Sequence, residues 1–103
     1  MNILQQLFGG GTKTDLKAAI AEGAFLVDVR SPGEFNSGHV KGSVNIPLDS
    51  LTHQLTKFKN KKNIIVFCRS GNRSGQAKTI LEQNGFTNVV NGGTWEHVNQ
   101  FVQ

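Results

Sequence analysis

Short apolar runs separated by segments of helical spacing constrain the fold of this chain more than any other feature of its sequence. Four such runs are present: AFLVDV at 24–29, SVNI at 43–46, NIIVF at 63–67 and TNVV at 87–90. Apolar residues recur every three or four positions in four other segments, which predicts helices at 15–23, at 48–59 behind Asp49, at 74–86 and at 94–103. Because crossover helices join parallel strands, the alternation predicts an α/β fold whose parallel sheet is covered on both faces.

The length of 103 residues fits one domain with a single core. We assign 14–103 to this domain and 1–13 to an N-terminal amphipathic segment with a Gly-rich link. The apolar residues of that segment have helical spacing until the triplet GGG ends the pattern, namely Ile3, Leu4, Leu7 and Phe8. The segment is predicted to dock on the domain as a short turn, and the alternative is contact with a partner or a membrane surface.

Charge and composition argue against several classes of protein. Lys and Arg outnumber Asp and Glu by 11 to 7, a net charge of +4 that modestly favours anionic ligands. The run KFKNKK at 57–62 predicts a solvated helix end and loop, with a docking patch as the alternative. Only one aromatic residue, Phe58, stands among these lysines and no zinc-finger or RNA-recognition motif is present, so no nucleic-acid partner is expected.

The cellular setting is predicted from the cysteine count and from the apolar runs. One cysteine cannot form an internal disulfide. The opening MNILQQLFGGG lacks the features of a signal peptide, and no run approaches the roughly 20 apolar residues of a membrane-spanning helix. We therefore expect a reduced thiol, a cytoplasmic location and no integral membrane segment.

That cysteine, Cys68, stands where an apolar strand gives way to the polar loop CRSGNRS. Ligands of open parallel sheets bind beyond the carboxyl ends of the strands. The N-terminal amides and dipole of the following helix, together with Arg69 and Arg73, favour a thiolate there. Gly71 permits a positive φ, and the other loop residues can add hydrogen bonds, namely Ser70, Asn72 and Ser74. The pattern predicts a reactive thiolate that needs no histidine base, and the alternative is a small buried apolar residue.

Other polar residues are predicted to have structural roles. Asp28 and Arg30 flank a strand end and are predicted to form, with Glu34, a structural network of ion pairs and hydrogen bonds, and the alternative is that Asp28 and Arg30 approach the active face. His39 is also predicted to be structural, and Trp95 is predicted to pack the last helix against the sheet. No metal site is expected, because no second ligand at metal spacing accompanies the histidines of the predicted helices, His53 and His97.

Three segments of the chain resemble the single-domain rhodanese-type sulfurtransferases. LVDVRSPGEFNSGHVKGSVNIPL at 26–48 resembles the family's Asp-x-Arg turn followed by Glu and then by Gly-His-x-x-Gly-x-x-Asn-x-Pro. VFCRSGNRS at 66–74 resembles its active-site loop, and NVVNGGTWEHV at 88–98 resembles its closing Gly-Gly-x-Trp segment. The resemblance covers nearly the whole chain from about residue 14. It implies a three-layer α/β/α fold with a five-stranded parallel sheet of order 1-5-4-2-3.

The resemblance also implies an activity that needs no cofactor. Cys68 would be the catalytic residue, taking a sulfane sulfur from a donor such as thiosulfate or a persulfide and holding it as a persulfide. It would then pass the sulfur to a thiophilic acceptor, cyanide or a thiol. The implied substrate-binding residues are those of the loop, namely Arg69, Ser70, Gly71, Asn72, Arg73 and Ser74. The alternative is a sulfur-relay or protein-interaction module with little free turnover, whose sulfur acceptor is a protein.

Spacing and two departures from the family pattern refine this interpretation. Cys68 and Arg73 are spaced Cys-x4-Arg, one residue shorter than the Cys-x5-Arg of phosphatases with a similar fold. A smaller ring of amides suits a sulfur atom better than a tetrahedral phosphate. The two-domain, thiosulfate-cleaving members have Arg at the position of Glu34 and Lys at that of Ser70. Without these cations, thiosulfate need not be the physiological donor.

Overall fold

The computed structural model describes residues 13–102, which form a parallel sheet flanked by helices. The strands are β1 (Phe25–Asp28), β2 (Val44–Asn45), β3 (Ile64–Cys68) and β4 (Val89–Thr94). The α-helices are α1 (Lys13–Ala21), α2 (Pro32–Asn36), α3 (Asn72–Gln83) and α4 (Trp95–Asn99). Two 3₁₀ helices, Leu48–His53 and Leu55–Phe58, connect β2 to β3. The predicted α/β class and the parallel direction of the strands are confirmed.

The sheet has four strands in the order β2-β1-β3-β4, whereas the family resemblance implies five. Each of the four corresponds to one of the apolar runs of the sequence, and residues 13–102 contain no fifth run of that kind. A strand ahead of α1 would fall within 1–12, outside the described residues, as does the predicted amphipathic segment except for Lys13. The order 1-5-4-2-3 and the division of the chain at residue 14 stay predictions.

Both faces of the sheet are buried, because alternate side chains of β3 enter two separate apolar clusters. Ile64, Val66 and Cys68 pack with residues of α3 and of the two 3₁₀ helices, including Leu51, Phe58, Ala77 and Leu81. Ile65 and Phe67 pack on the other face with residues of α1 and α4, including Leu16 and Val98. The thiol therefore lies on the face of the sheet that α3 covers.

The segment from 48 to 58 differs from the single α-helix that the sequence predicts. It forms two 3₁₀ helices, which are separated at Gln54, where the backbone with φ −130° and ψ 27° leaves the helical region. Leu51 and Phe58 are nevertheless fully buried. Spacing of three residues keeps side chains on one face of either kind of helix, so the pattern identified the buried residues but not the helix type.

A second difference is α2, a five-residue helix in a segment that is not among the helices predicted from the sequence. Ser31 is its N-cap, and Ser31 and Glu34 form a capping box that satisfies backbone amides at the start of this short helix.

None of the helices formed by residues 13–102 has the length and apolar character needed to cross a membrane.

Candidate active site

Cys68 is the last residue of β3 and lies at the carboxyl edge of the sheet, beside the start of α3. The chain turns through Gly71, which is the N-cap of α3 and has φ 94°. A side chain would be strained in that left-handed conformation, and its Cβ would lie 3.4 Å from the Cα of Gly93. Glycine at this position therefore lets the loop pass close to β4.

Cys68 is fully buried, and hydrogen-bonding groups of the loop surround its sulfur. The amide of Gly71 donates to Sγ at 3.0 Å, and the hydroxyl oxygen of Ser74 lies 3.5 Å from Sγ. Burial raises the pKa of the Cys68 thiol, but hydrogen bonds from the Ser74 hydroxyl and from the amides of Ser74, Ser70 and Gly71 outweigh it. The net pKa is lowered from its ordinary value, which favours the nucleophilic thiolate.

The predicted site residues divide into those on the sulfur and those facing solvent. Cys68, Gly71 and Ser74 come together at the sulfur. The other loop residues apart from Arg73 have exposed side chains, namely Arg69, Ser70 and Asn72. The Ser70 hydroxyl accepts a hydrogen bond from the amide of Asn72 at 3.4 Å. Of the three predicted side-chain partners Ser70, Asn72 and Ser74, only Ser74 contacts the sulfur.

Arg73 lies in the first turn of α3 and is held by Glu34 of α2. Its Nη1 and Nη2 donate to Oε1 and Oε2 of Glu34 at 2.7 and 3.0 Å, so the pair is bidentate. The hydrogen bonds of Arg73 and then of Ser31 lower the pKa of Glu34 from 4.5 to about 2, and Glu34 raises the pKa of Arg73. Glu34 neutralises the arginine, so Arg73 does not supply the free positive charge that the sequence predicts.

The predicted structural network is confirmed for Asp28 and Arg30, which form an ion pair, whereas Glu34 pairs with Arg73 instead. Arg30 donates from Nε to both carboxylate oxygens of Asp28 at 3.0 Å and from Nη2 to Oδ2 at 2.7 Å. Both residues are buried, and Arg30 also donates to the carbonyl of Gly38 at 2.7 Å. The guanidinium lies 4.8 Å from the ring centroid of Trp95, a cation–π contact that ties β1 to α4.

The remaining residues singled out in the sequence lie in structural surroundings. Trp95 packs against the apolar cluster on the α1 and α4 face, as predicted. The ring of His39 stacks on Phe35 with centroids 3.8 Å apart, and its Nδ1 lies 2.8 Å from the Phe35 carbonyl oxygen. His97 makes an edge contact with Phe101. Within 13–102, no three His, Cys, Asp or Glu side chains are grouped so that they could hold a metal ion.

Sequence reasoning missed Asn91 of β4. Its Oδ1 accepts a hydrogen bond from the Ser74 hydroxyl at 2.7 Å, and its Nδ2 donates to the carbonyl of Gly71 at 3.2 Å. The signal was present, because a polar residue follows the apolar pair Val89 and Val90 on the strand beside the one that ends at the cysteine.

Comparison with known proteins gives a family match and similar curated proteins, which include YqhL, PspE and YrkF. Residues 12–95 match the model of the rhodanese-like domain. The chain is 40% identical over 68 residues to YqhL of Bacillus subtilis (strain 168), covering 66% of this chain and 54% of the relative. It is 41% identical over 69 residues to the thiosulfate sulfurtransferase PspE of Escherichia coli (strain K12), covering 65% and 66%. It is also 32% identical over 66 residues to the putative sulfur carrier protein YrkF of Bacillus subtilis (strain 168), covering 64% and 36%.

Solved structures show the same likeness in three dimensions. A rhodanese with anions from E. coli matches with a TM-score of 0.66 and 37% identity, covering 72% of this chain and 89% of that one. The human single-domain sulfurtransferase TSTD1 matches with a TM-score of 0.69 and 25% identity, covering 85% and 93%. By sequence, the chain spans between about half and two thirds of the length of YqhL and PspE.

Proposed function

This chain belongs to the rhodanese-like sulfurtransferase family, and on that premise we propose that Cys68 carries a sulfane sulfur from a donor to a thiophilic acceptor. The observation that carries the proposal is the position of the single thiol, at the carboxyl edge of a parallel sheet. Hydrogen bonds from the loop around the thiol lower its pKa. A thiolate in that setting is a nucleophile without a histidine base.

The transfer takes two displacement steps, each balanced in electrons. The Cys68 thiolate attacks the outer sulfur of thiosulfate, a new S–S bond forms, and sulfite leaves with the electron pair of the bond that breaks. An acceptor such as cyanide then attacks the outer sulfur of the persulfide and releases the Cys68 thiolate. The Gly71 amide donates to Sγ itself, and the negative charge of the terminal sulfur is favoured by the N-terminal end of α3 beside it.

Charge around the loop supports a persulfide as a better donor than thiosulfate. Thiosulfate is a dianion, and Arg73 is already neutralised by both carboxylate oxygens of Glu34. Arg69 of the loop is exposed to solvent, where its attraction for an anion is screened. A small persulfide carries less negative charge than thiosulfate, so its binding depends less on a free cation at the loop.

A second candidate is a sulfur relay in which the acceptor is a thiol of another protein. Similarity to a putative sulfur carrier protein and the neutralised arginine both support it. In that case the persulfide forms on Cys68 but free cyanide is a poor acceptor.

Intact-mass spectrometry tests both forms of the proposal. Since Cys68 is the only cysteine, an added sulfur atom on the folded protein is assigned to it directly. We expect the adduct after incubation with a small persulfide, a weaker yield with thiosulfate, and none in Cys68→Ser, whose transfer rate should fall at least about 10³-fold. The proposal would be refuted if neither donor gave an adduct, or if Cys68→Ser transferred sulfur at an unchanged rate. Fast decay of the adduct with cyanide favours the enzyme, and decay only with a protein thiol favours the relay.

A further inference from the structure

Asn91 occupies an irregular point of β4 that turns its side chain towards the cysteine loop. The strand register pairs Val66 with Asn91 but Phe67 with Gly93, so Gly92 is an extra residue that forms a β-bulge. A Cβ at Gly92 would lie 2.7 Å from the Val98 side chain, so only glycine fits the bulge without displacement of its neighbours. Bulges redirect side chains, and this one lies beside the carboxyl end of β3.

The Asn91 amide makes three hydrogen bonds there. Its Oδ1 accepts from the Ser74 hydroxyl at 2.7 Å and from the Gly93 amide at 2.9 Å. Its Nδ2 donates to the Gly71 carbonyl at 3.2 Å. The partners also fix the orientation of the amide, because two donors face the oxygen and a carbonyl faces the nitrogen.

Two of the residues that Asn91 holds are the ones that meet the sulfur. Gly71 donates its amide to Sγ at 3.0 Å, and Ser74 places its hydroxyl oxygen 3.5 Å from Sγ. Resting on the proposed role of Cys68, we propose that Asn91 is a positioning residue for sulfur transfer, which holds the Gly71 and Ser74 groups against the sulfur.

The geometry also assigns the Ser74 hydrogen in each state of the sulfur. When the Cys68 thiol is neutral, the Ser74 hydroxyl donates its hydrogen bond to Asn91 Oδ1, as the 2.7 Å contact shows. The thiol proton then points towards the Ser74 oxygen. When the thiol ionises, its proton leaves to solvent and the Ser74 hydroxyl turns its hydrogen to the thiolate. Oδ1 of Asn91 then keeps the Gly93 amide as a donor, so no buried acceptor is left unpaired.

The test is a titration of the thiol that needs no sulfur donor. The chain has one cysteine and no tyrosine, so the ultraviolet absorbance of the thiolate reports Cys68 without interference from a phenol. Asn91→Ala should raise the titration midpoint, with roughly three- to tenfold less thiolate at neutral pH, because the Gly71 amide and the Ser74 hydroxyl are then no longer held beside the sulfur. This loss of position should outweigh the release of the Ser74 hydrogen from Asn91, which by itself would favour the thiolate. Asn91→Ser is a smaller, neutral change that should shift the midpoint in the same direction if Asn91→Ala does not fold. The charged groups near the loop stay unchanged in both variants, namely Arg73, Glu34 and Asp28.

Asn88→Ala is the matched control, because Asn88 precedes β4 and its Nδ2 donates to the carbonyls of Lys61 and Lys62, at the other end of the strand. It should lower stability without moving the midpoint. A midpoint that stays unchanged or falls in both Asn91 variants overturns the inference and leaves Asn91 a purely structural residue. The sulfur adduct is measured separately: an adduct with an unmoved midpoint refutes only this inference, whereas a moved midpoint without an adduct refutes only the proposed function.

Discussion

The ion pair of Glu34 and Arg73 joins α2 to the first turn of α3, and its contribution to stability should depend on pH. Replacing Glu34 by Gln removes the charge but keeps a side chain that can complete the capping box with Ser31. Taken at face value, the fall in the pKa of Glu34 from 4.5 to about 2 corresponds to about 3 kcal/mol. The two side chains are 31% and 35% exposed, so solvent screens the pair and we expect about 1 kcal/mol.

The direction of the pH dependence follows from the lowered pKa of Glu34. A carboxylate whose pKa is lower in the folded state binds protons more readily in the unfolded state. The stabilisation that the Glu34 carboxylate provides is therefore complete above pH 4.5, and it is lost as the pH falls from 4.5 towards about 2. The difference in free energy of unfolding between the protein and Glu34→Gln should be constant near neutral pH and shrink below pH 4.5.

Urea denaturation at a series of pH values measures this difference in free energy. In thermal unfolding at neutral pH, the Tm of Glu34→Gln should be lower by about 4–8 °C for a domain of this size. Glu82→Gln is the control for an exposed ion pair, because Glu82 pairs with Lys78 one turn away on α3, and it should change stability by no more than about 0.5 kcal/mol. A difference for Glu34→Gln that is the same at every pH would show that the charge contributes nothing and would refute the reasoning.

Two further substitutions test the surroundings of the sulfur and the bulge. Ser74→Ala removes the hydroxyl beside Sγ, so the alkylation rate of Cys68 at neutral pH should fall roughly tenfold. Ser43→Ala is the control, because it removes a hydroxyl that bonds to the Val40 carbonyl, and its Cys68 should be alkylated at the rate of the unchanged protein. Equal rates for both serine variants would contradict the role of the hydroxyl. Gly92→Ala places a Cβ 2.7 Å from Val98 and 3.0 Å from Ile65, and urea denaturation should show a loss of about 1–3 kcal/mol. Gly33→Ala, which meets no atom within 4 Å, is its control, and equal stability of the two alanine variants would disprove the predicted crowding.

Local pattern was sufficient to predict β3, α3 and the position of Cys68 between them. Each depends on neighbouring residues: an apolar run specifies a buried strand, and Ala77, Ile80 and Leu81 repeat at helical spacing. The same pattern could not distinguish an α-helix from the 3₁₀ helices at 48–58, because residues three apart, Leu48 with Leu51 and Leu55 with Phe58, lie on one face of either kind of helix. The cytoplasmic location stays a prediction, since it rests on composition alone.

The partners of the site could not be predicted, because they are distant in sequence. Glu34 and Arg73 are 39 positions apart, and Ser74 and Asn91 are 17 apart. Such pairs depend on the sheet register, and a single bulged residue, Gly92, changes which side chain of β4 reaches the loop. Ligands of parallel sheets bind at the carboxyl ends of the strands, and this rule correctly predicted the region around Cys68. It could not predict which side chains form hydrogen bonds there.

The three segments that resemble the family meet pairwise through polar contacts in the folded chain. Glu34 with Arg73 joins the segment at 26–48 to the cysteine loop, and Ser74 with Asn91 joins that loop to the segment at 88–98. Arg30 over Trp95 joins the first segment to the third. The loop is thus held from two sides.

This arrangement separates stabilisation of the sulfur from recognition of its donor. The groups on the sulfur belong to Gly71 and Ser74, which are held from β4, whereas Arg69, Ser70 and Asn72 present their side chains to solvent. A substitution at an exposed loop position can therefore change the charge that a donor meets without moving the hydrogen bonds that favour the thiolate.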